Sequence, residues 1–225
     1  MVKGLGVSRG CFYFDVHGEV NTGKTIELAY ARAVELGIDK AVVASETGLT
    51  ALEAIKAFNG KMVIVVTSAA GTRVENTPIG DLSIGIPDEE ILKRINDLGA
   101  PMVRGTDPFW NLGAHSPLID TGKLGMMFYE VICGGVHVCM TAVLEATDAG
   151  HLEAGEEAVA MAGSWVGLDT AIVARAANSV DFFKGFEVLE IICKPRRAHY
   201  TWPINQVDWR GDLEKYRPFA QRVSQ

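Results

Sequence analysis

The stretch DKAVVASETGLTALEAIKAFNGKMVIVVT, residues 39 to 67, decides the fold class of this chain. Two continuous aliphatic runs, at 39 to 45 and 61 to 67, flank a segment whose apolar residues recur at helical spacing. That segment stops at Gly60, and glycine is typical of the position just past a helix. Strands that are apolar throughout and alternate with amphipathic helices indicate a parallel sheet covered on both faces. The stretch therefore predicts a strand, a helix and a second, parallel strand.

The same alternation continues on both sides of this stretch. Further strands are predicted at residues 11 to 16, 101 to 105, 156 to 163, 170 to 175 and 187 to 193. Helices are predicted from a cap at Asn21 or Thr22 to Gly37, and at residues 87 to 99, 124 to 133 and 136 to 150. The last is ambiguous, because its first half alternates like a strand. Residues 71 to 86 and 105 to 120 are predicted loops, and the whole pattern predicts a single α/β domain over residues 1 to 225.

The last thirty residues, 196 to 225, differ from the rest of the chain and are named the C-terminal arm. They hold two of the four tryptophans, Trp202 and Trp209, together with Tyr216. Disordered segments are poor in aromatic residues, so this arm is expected to lie against a surface, extended and with a short helical turn near Leu213. The surface could belong to its own domain or to a second subunit. We favour a second subunit, and hence a homo-oligomer, because an extended arm can exchange between protomers.

Composition limits the classes of function. The chain has 225 residues, 48% of them hydrophobic, and a formal net charge of -7. This charge gives no electrostatic reason to expect binding to nucleic acid or to an anionic membrane. No apolar run approaches the length of a membrane span, and the first ten residues lack the apolar core of a signal peptide. The four cysteines lack C-x-x-C spacing, so we expect free thiols and a cytoplasmic location.

The stretch GEVNTGKT, residues 18 to 25, matches the G-x-x-x-x-G-K-[ST] pattern of nucleotide-hydrolysing P-loop proteins. A working P-loop also needs a second strand that ends in an aspartate beside the metal ion. The predicted strands end instead in Ser, Thr, Arg or Cys. We therefore interpret Gly18 and Gly23 as turn glycines and Lys24 as a solvated lysine, and we keep an NTPase as the third hypothesis.

Three loops form a stronger candidate site. SETGLT (45 to 50), TSAAGT (67 to 72) and GSWVGLDT (163 to 170) are each adjacent to a predicted strand and rich in small and hydroxylated residues. In an open α/β sheet, ligands bind at the carboxyl ends of the strands. A helix that begins at SETGLT would present free N–H groups to an anion. The loops therefore predict a phosphate-bearing ligand, although Ser45 and Thr47 could serve only to cap the helix.

Three segments carry a resemblance to a known family: VVASETGLTALEA, GLDTA and EIICKPR, with Asn178, Phe182 and Phe183 between the last two. Over residues 11 to 70 and 136 to 196, the chain resembles the stand-alone relatives of the pyruvate kinase C-terminal domain. The resemblance implies a three-layer α/β/α fold with a mostly parallel sheet. It also implies flavin mononucleotide (FMN) as cofactor, without an established activity. In pyruvate kinase, the loop that matches SETGLT holds the phosphate of a sugar-phosphate effector.

The resemblance and the three loops together predict the ligand-contact residues. In GEVNTGKT the informative residues become the Asn-Thr pair rather than Gly-Lys. Asp169 has two possible roles, which both stay open: it could bond to the backbone of its own turn, or accept from a sugar or ribityl hydroxyl. The predicted residues are Asn21, Thr22, Ser45, Glu46, Thr47, Gly48, Thr50, Thr67, Gly71, Gly163, Ser164, Gly167, Asp169 and Thr170.

Catalytic residues are not predicted. The five histidines show no metal-ligand spacing, and for His137 and Cys139 we favour a place in the core over a shared metal ion. Trp165 could stack on an aromatic ligand or pack against the arm. The first hypothesis is a binding protein for a phosphorylated ligand, FMN before others. The second is an enzyme that uses this flavin or acts on a sugar phosphate.

Overall fold

The computed structural model describes residues 6–110, 121–163, 165–197 and 209–221. These residues form two sheets, one of seven strands and one of three. The strands of the large sheet are β1 (Phe12–Phe14), β2 (Lys40–Ala44), β3 (Met62–Ser68), β6 (Met102–Gly105), β7 (Glu157–Ala162), β8 (Thr170–Arg175) and β9 (Glu187–Pro195). Those of the small sheet are β4 (Arg73–Thr77), β5 (Gly80–Ser83) and β10 (Ala220–Gln221).

The large sheet has the order β1-β9-β8-β7-β2-β3-β6. Strand β8 is antiparallel to both of its neighbours, and every other adjacent pair is parallel. The sheet is therefore mixed but mostly parallel, as the aliphatic runs predicted. Its parallel strands all end at one edge, which is the edge where ligands bind in open α/β sheets.

Helices cover both faces of the large sheet. The helices are α1 (Thr22–Leu36), α2 (Leu49–Ala57), α3 (Glu89–Asp97), α4 (Thr121–Met127), α5 (Gly134–Asp148) and α6 (Phe182–Gly185). One buried cluster joins α1, α2 and α3 to one set of alternate strand residues, among them Val43 and Val65. A second cluster joins α5 and α6 to the opposite set, which includes Val42 and Ile64. This alternation gives two helical layers around a central sheet, consistent with the three-layer class.

The predicted elements agree with the structure at most positions. Of the ambiguous segment 136 to 150, residues 136 to 148 belong to the helix α5, in which twelve residues are buried. A helix that is buried nearly all round shows no polar stripe, which is why its first half looked like a strand. The predicted helix at 124 to 133 is α4 continued by a π-helical segment, Phe128–Ile132. Asp88 caps α3 by accepting from the N–H groups of Glu90 and Ile91.

Two local predictions need correction. Residues 71 to 86 are not only a loop, because they contain the antiparallel pair β4 and β5. Asn21 is the N-cap position of α1, as predicted, but its side chain makes no capping bond and its amide donates to the carbonyl of Val16. Of the predicted loop 105 to 120, residues 111 to 120 lie outside the described part of the chain.

The described end of the arm, residues 209 to 221, packs on its own domain. Tyr216 and Phe219 are buried in the first cluster, within a short 3₁₀ helix at Leu213–Phe219 that matches the predicted turn. Strand β10 pairs with β5, and Lys215 forms an ion pair with Glu19. Packing of the arm on its own domain is the alternative that the sequence left open. Exchange of arms between two copies would make the same contacts and stays a prediction.

Candidate functional site

A cavity of about 250 Å³ lies where β2 and β7 end. It is named the ligand cavity. Six of the predicted contact residues line it, from two of the three predicted loops: Ser45, Glu46, Thr47, Thr50, Gly163 and Gly167. Its other walls are Ala44, Val74, Tyr129, Val138, Trp165, Val166 and Tyr216. The sheet polarity thus brings together residues that are more than 100 positions apart in the sequence.

The N-terminus of α2 forms one end of the ligand cavity. Gly48 precedes the helix with φ of 83°, a left-handed conformation that favours glycine. The hydroxyl of Ser45 accepts from the Thr50 hydroxyl and from the Ala51 N–H, so Ser45 does brace the first turn. The backbone N–H groups of residues 47 to 50 donate to no atom in the described part of the chain. They remain available to an anion, with the helix dipole behind them.

Three aromatic side chains form another part of the wall. They are Trp165 from the loop after β7, Tyr129 from the π-helical segment and Tyr216 from the arm. Trp165 adopts φ of 89°, which costs energy for a residue with a side chain and is uncommon outside functional sites. Its ring packs edge to face against Trp209, with centroids 5.4 Å apart. Trp165 therefore does both things that the sequence allowed: it lines the ligand cavity and contacts the arm.

Four predicted residues hold the loops together instead of lining the cavity. The Thr22 hydroxyl accepts from the Leu168 N–H, which ties α1 to the third loop, and Asn21 bonds within its own loop. Asp169 is fully buried, and its two carboxylate oxygens accept from the Gly18 N–H and the Thr170 hydroxyl. These two hydrogen bonds support a structural role for Asp169, because one joins it to a neighbouring loop and the other to the adjacent residue.

The remaining predicted residues are scattered. Thr67 lies in the next cavity and donates to the Glu46 carboxylate. Gly71 is exposed in the turn between β3 and β4 and lines neither cavity. Gly48 has no room for a side chain, because a Cβ there would overlap the Ile91 side chain. Ser164 lies outside the described residues.

The P-loop-like stretch has no free cradle. The Gly18 N–H donates to Asp169, and the Val20 N–H donates to the carbonyl of Arg210 in the arm. The ring of Trp209 covers the α-carbon of Gly18. Lys24 is partly exposed and pairs with Glu27 at 2.6 Å. The N–H groups of Gly18, Val20 and Asn21 and the ammonium of Lys24 therefore already have partners, which supports the interpretation of an accidental match.

A second cavity of about 290 Å³ adjoins the first and shares Ala44, Glu46 and Val138 with it. It is named the acidic cavity, because Glu46, Asp107 and Glu145 line it and no Lys or Arg among the described residues does. Asp107 accepts from the Phe109 N–H and pairs with Nε2 of His137 at 2.8 Å. Burial, reinforced by the charges of Asp107 and Glu46, raises the pKa of Glu145 to about 7.

No family model matches the chain. The resemblance noted in the sequence therefore stays a prediction. Among the described residues, no group of three or more His, Cys, Asp or Glu side chains is placed to hold a metal ion. None of the helices in that part of the chain is long and apolar enough to cross a membrane. His137 and Cys139 are both buried on α5, and the Cys139 thiol points to the carbonyl of Thr170.

Sequence reasoning missed several residues of the two cavities. Tyr129 and Tyr216 come from segments whose place in the fold no local pattern indicates. Glu145 could have been predicted from the sequence, since it is the only acidic residue in the apolar run VHVCMTAVLEA. A lone carboxyl group inside a buried helix is costly unless it has a partner or a function, and that was the available signal.

Proposed function

We propose that this protein binds a phosphorylated ligand in the ligand cavity, with FMN as the first candidate. One observation carries the proposal. A single cavity combines a helix N-terminus with unpaired N–H groups at one end and three aromatic side chains in its wall. The first feature suits a phosphate and the second suits a ring. The resemblance to the stand-alone relatives of the pyruvate kinase C-terminal domain favours the same ligand.

In the part of the chain that the structure describes, no Lys or Arg lines the ligand cavity, so the phosphate would be held there without a basic side chain. Its partners would be the N–H groups of residues 47 to 50 and the hydroxyl of Thr47. Fixed backbone donors at a helix N-terminus bind phosphate in many nucleotide sites. We therefore expect the affinity to depend only weakly on salt, unlike that of a site built from surface lysines.

The size of the ligand cavity bears on how much of FMN it could hold. About 250 Å³ lies just under the usual range of ligand pockets, roughly 300 to 1,000 Å³. The adjoining acidic cavity extends the available space beyond the shared wall at Glu46. A ligand of the length of FMN would occupy both cavities.

The test is the affinity for FMN of variants matched in charge. Thr47→Asp places a carboxylate beside the proposed phosphate position, where a helix N-terminus tolerates an acid. Repulsion of about 4 kcal/mol at 4 Å should weaken binding at least about 100-fold. Lys24→Ala changes the net charge by the same amount but lies outside both cavities, so its affinity should equal that of the parent.

Fluorescence titration with FMN measures both variants, and circular dichroism checks that each is folded. An unchanged affinity of Thr47→Asp for FMN would contradict the proposed position of the phosphate at the N-terminus of α2. Loss of binding in Lys24→Ala, with magnesium-dependent ATP hydrolysis in the parent, would favour the P-loop instead.

An enzyme that uses this flavin, or acts on a sugar phosphate, is the second candidate. The observation in its favour is Glu145, a carboxyl group with a pKa of about 7 in a cavity that adjoins the ligand cavity. Groups that titrate near neutral pH inside a cleft are typical of acid–base catalysts.

A further inference from the structure

The three carboxyl groups of the acidic cavity are not equivalent. Glu46 is held by the hydroxyls of Thr67 and Ser68, at 3.1 and 2.8 Å, and by the Ser68 N–H at 3.2 Å. Asp107 is held by the Phe109 N–H and by the His137 ring. Both of these carboxyl groups therefore have hydrogen-bond partners within the protein.

Glu145 is the exception. Its Oε2 is buried against the α-carbon of Gly105 and has no hydrogen-bond partner among the described residues. The charged groups around it are the carboxylates of Glu46, Asp107 and Asp148, and all three disfavour its ionised form. His137 also lines this cavity, but its Nε2 is taken by Asp107, and its ring lies between those of Phe109 and Tyr129. Near neutral pH, Glu145 is therefore a neutral carboxylic acid for much of the time, in a cavity that its side chain lines. Nδ1 of His137, which lines the same cavity, is also buried without a hydrogen-bond partner among the described residues.

We propose that Glu145, in its neutral form, donates a hydrogen bond to a carbonyl oxygen of a ligand that spans both cavities. This inference rests on the proposed function, since it takes the phosphate of the same ligand to lie at α2. The ligand would then be a phosphorylated compound that carries a carbonyl group on a ring or sugar. That carbonyl must be far enough from the phosphate to reach the acidic cavity when the phosphate lies at α2.

The alternative is that the acidic cavity holds a cation and that Glu145 binds as an anion. A neutral donor fits better, because the proposed ligand is itself anionic and the neighbouring carboxylates already oppose a further negative charge. Buried carboxylic acids that stay neutral can act as hydrogen-bond donors to ligand oxygens. The two alternatives predict opposite effects of pH on affinity.

The experiment is an FMN titration of the parent, Glu145→Gln and Glu145→Ala at pH 6 and pH 8. If only the neutral acid binds, the parent's dissociation constant should rise by about tenfold over this range, relative to that of Glu145→Gln. Glutamine keeps a donor and cannot ionise, so its profile shows only the titration of the FMN phosphate. Glu145→Ala should bind more weakly than Glu145→Gln at both pH values.

Gly105→Ala is a second variant, and it replaces no charged residue. A Cβ at position 105 would overlap Oε2 of Glu145, and the flexible carboxyl group would have to move. We expect this variant to fold and to lose most of the pH dependence of the parent.

The outcomes separate the two proposals. If FMN binds, Thr47→Asp weakens it, and the parent and Glu145→Gln have identical pH profiles, then only the role of Glu145 is wrong. An affinity that rises with pH in the parent alone would support the cation alternative and overturn the neutral donor. If FMN binds to none of the proteins, the proposed ligand and this inference both fail.

Discussion

At the scale of single residues, Gly48 lies in the predicted loop at the start of α2, but its neighbours change what a substitution there should do. The sequence placed it in a phosphate loop, which predicts that Gly48→Asp would weaken binding and leave the fold intact. In the structure the α-carbon of Gly48 faces the packed side chains of Ile86, Ile91 and Ile95 rather than open space. Its φ of 83° adds a second requirement for glycine. A substitution at Gly48 should therefore destabilise the fold as well as disturb the loop, and Thr47 is the better position for a charge.

Gly48 and Gly60 form a natural pair for measuring this effect. Both have positive φ, but nothing lies within 4 Å of a Cβ built at Gly60. We expect Gly60→Ala to cost about 1 kcal/mol of unfolding free energy, from backbone strain alone. Gly48→Ala should cost about 2–4 kcal/mol, because overpacking against Ile91 adds to that strain.

Urea unfolding of the two variants and the parent measures the difference. Equal losses of stability in both variants would mean that α3 moves aside without cost, and that packing does not constrain position 48.

At the scale of elements, the sequence predicts best what local periodicity determines. The strands β2 and β3 and the helices α1 and α3 lie where the sequence placed them, because each carries its own apolar pattern and end signals. The pair β4 and β5 was missed. Its strands are short and polar, and its third partner, β10, comes from the far end of the chain. Local sequence does not encode such a pairing.

The candidate site follows the same rule. The loops after β2 and β7 were predicted to share a site, because strand polarity alone brings them to one edge. The loop after β3 was predicted to join them, but Thr67 lies in the acidic cavity and Gly71 in neither. Which hydroxyl faces the cavity, and which aspartate is buried as a brace, depends on packing that periodicity does not determine. Asp169 is the clearest case.

At the scale of the whole molecule, the arm connects the candidate site to assembly. Residues 209 to 221 contact the P-loop-like stretch, the third loop and β5, and they supply Tyr216 to the ligand cavity. Burial of Tyr216 and Phe219 contributes about 1.5–3 kcal/mol each. A segment held by so few contacts can pack on its own chain or on a neighbouring copy at similar cost.

Truncation after Arg197 tests the assembly. We expect a folded protein with fewer subunits than the full chain, and with weaker binding of FMN because one wall of the ligand cavity is lost. Light scattering gives the subunit number and fluorescence titration gives the affinity. The same number of subunits in both chains would show that the arm packs only on its own chain, as residues 209 to 221 do in this structure.

A ¹⁵N NMR titration with FMN tests directly whether a phosphate binds at the N-terminus of α2. The backbone amide signals of residues 47 to 50 should shift most, together with the indole signal of Trp165, while those of residues 18 to 25 should stay nearly unchanged. Binding of FMN that leaves the amides of 47 to 50 in place, or that shifts residues 18 to 25 instead, would contradict that position of the phosphate.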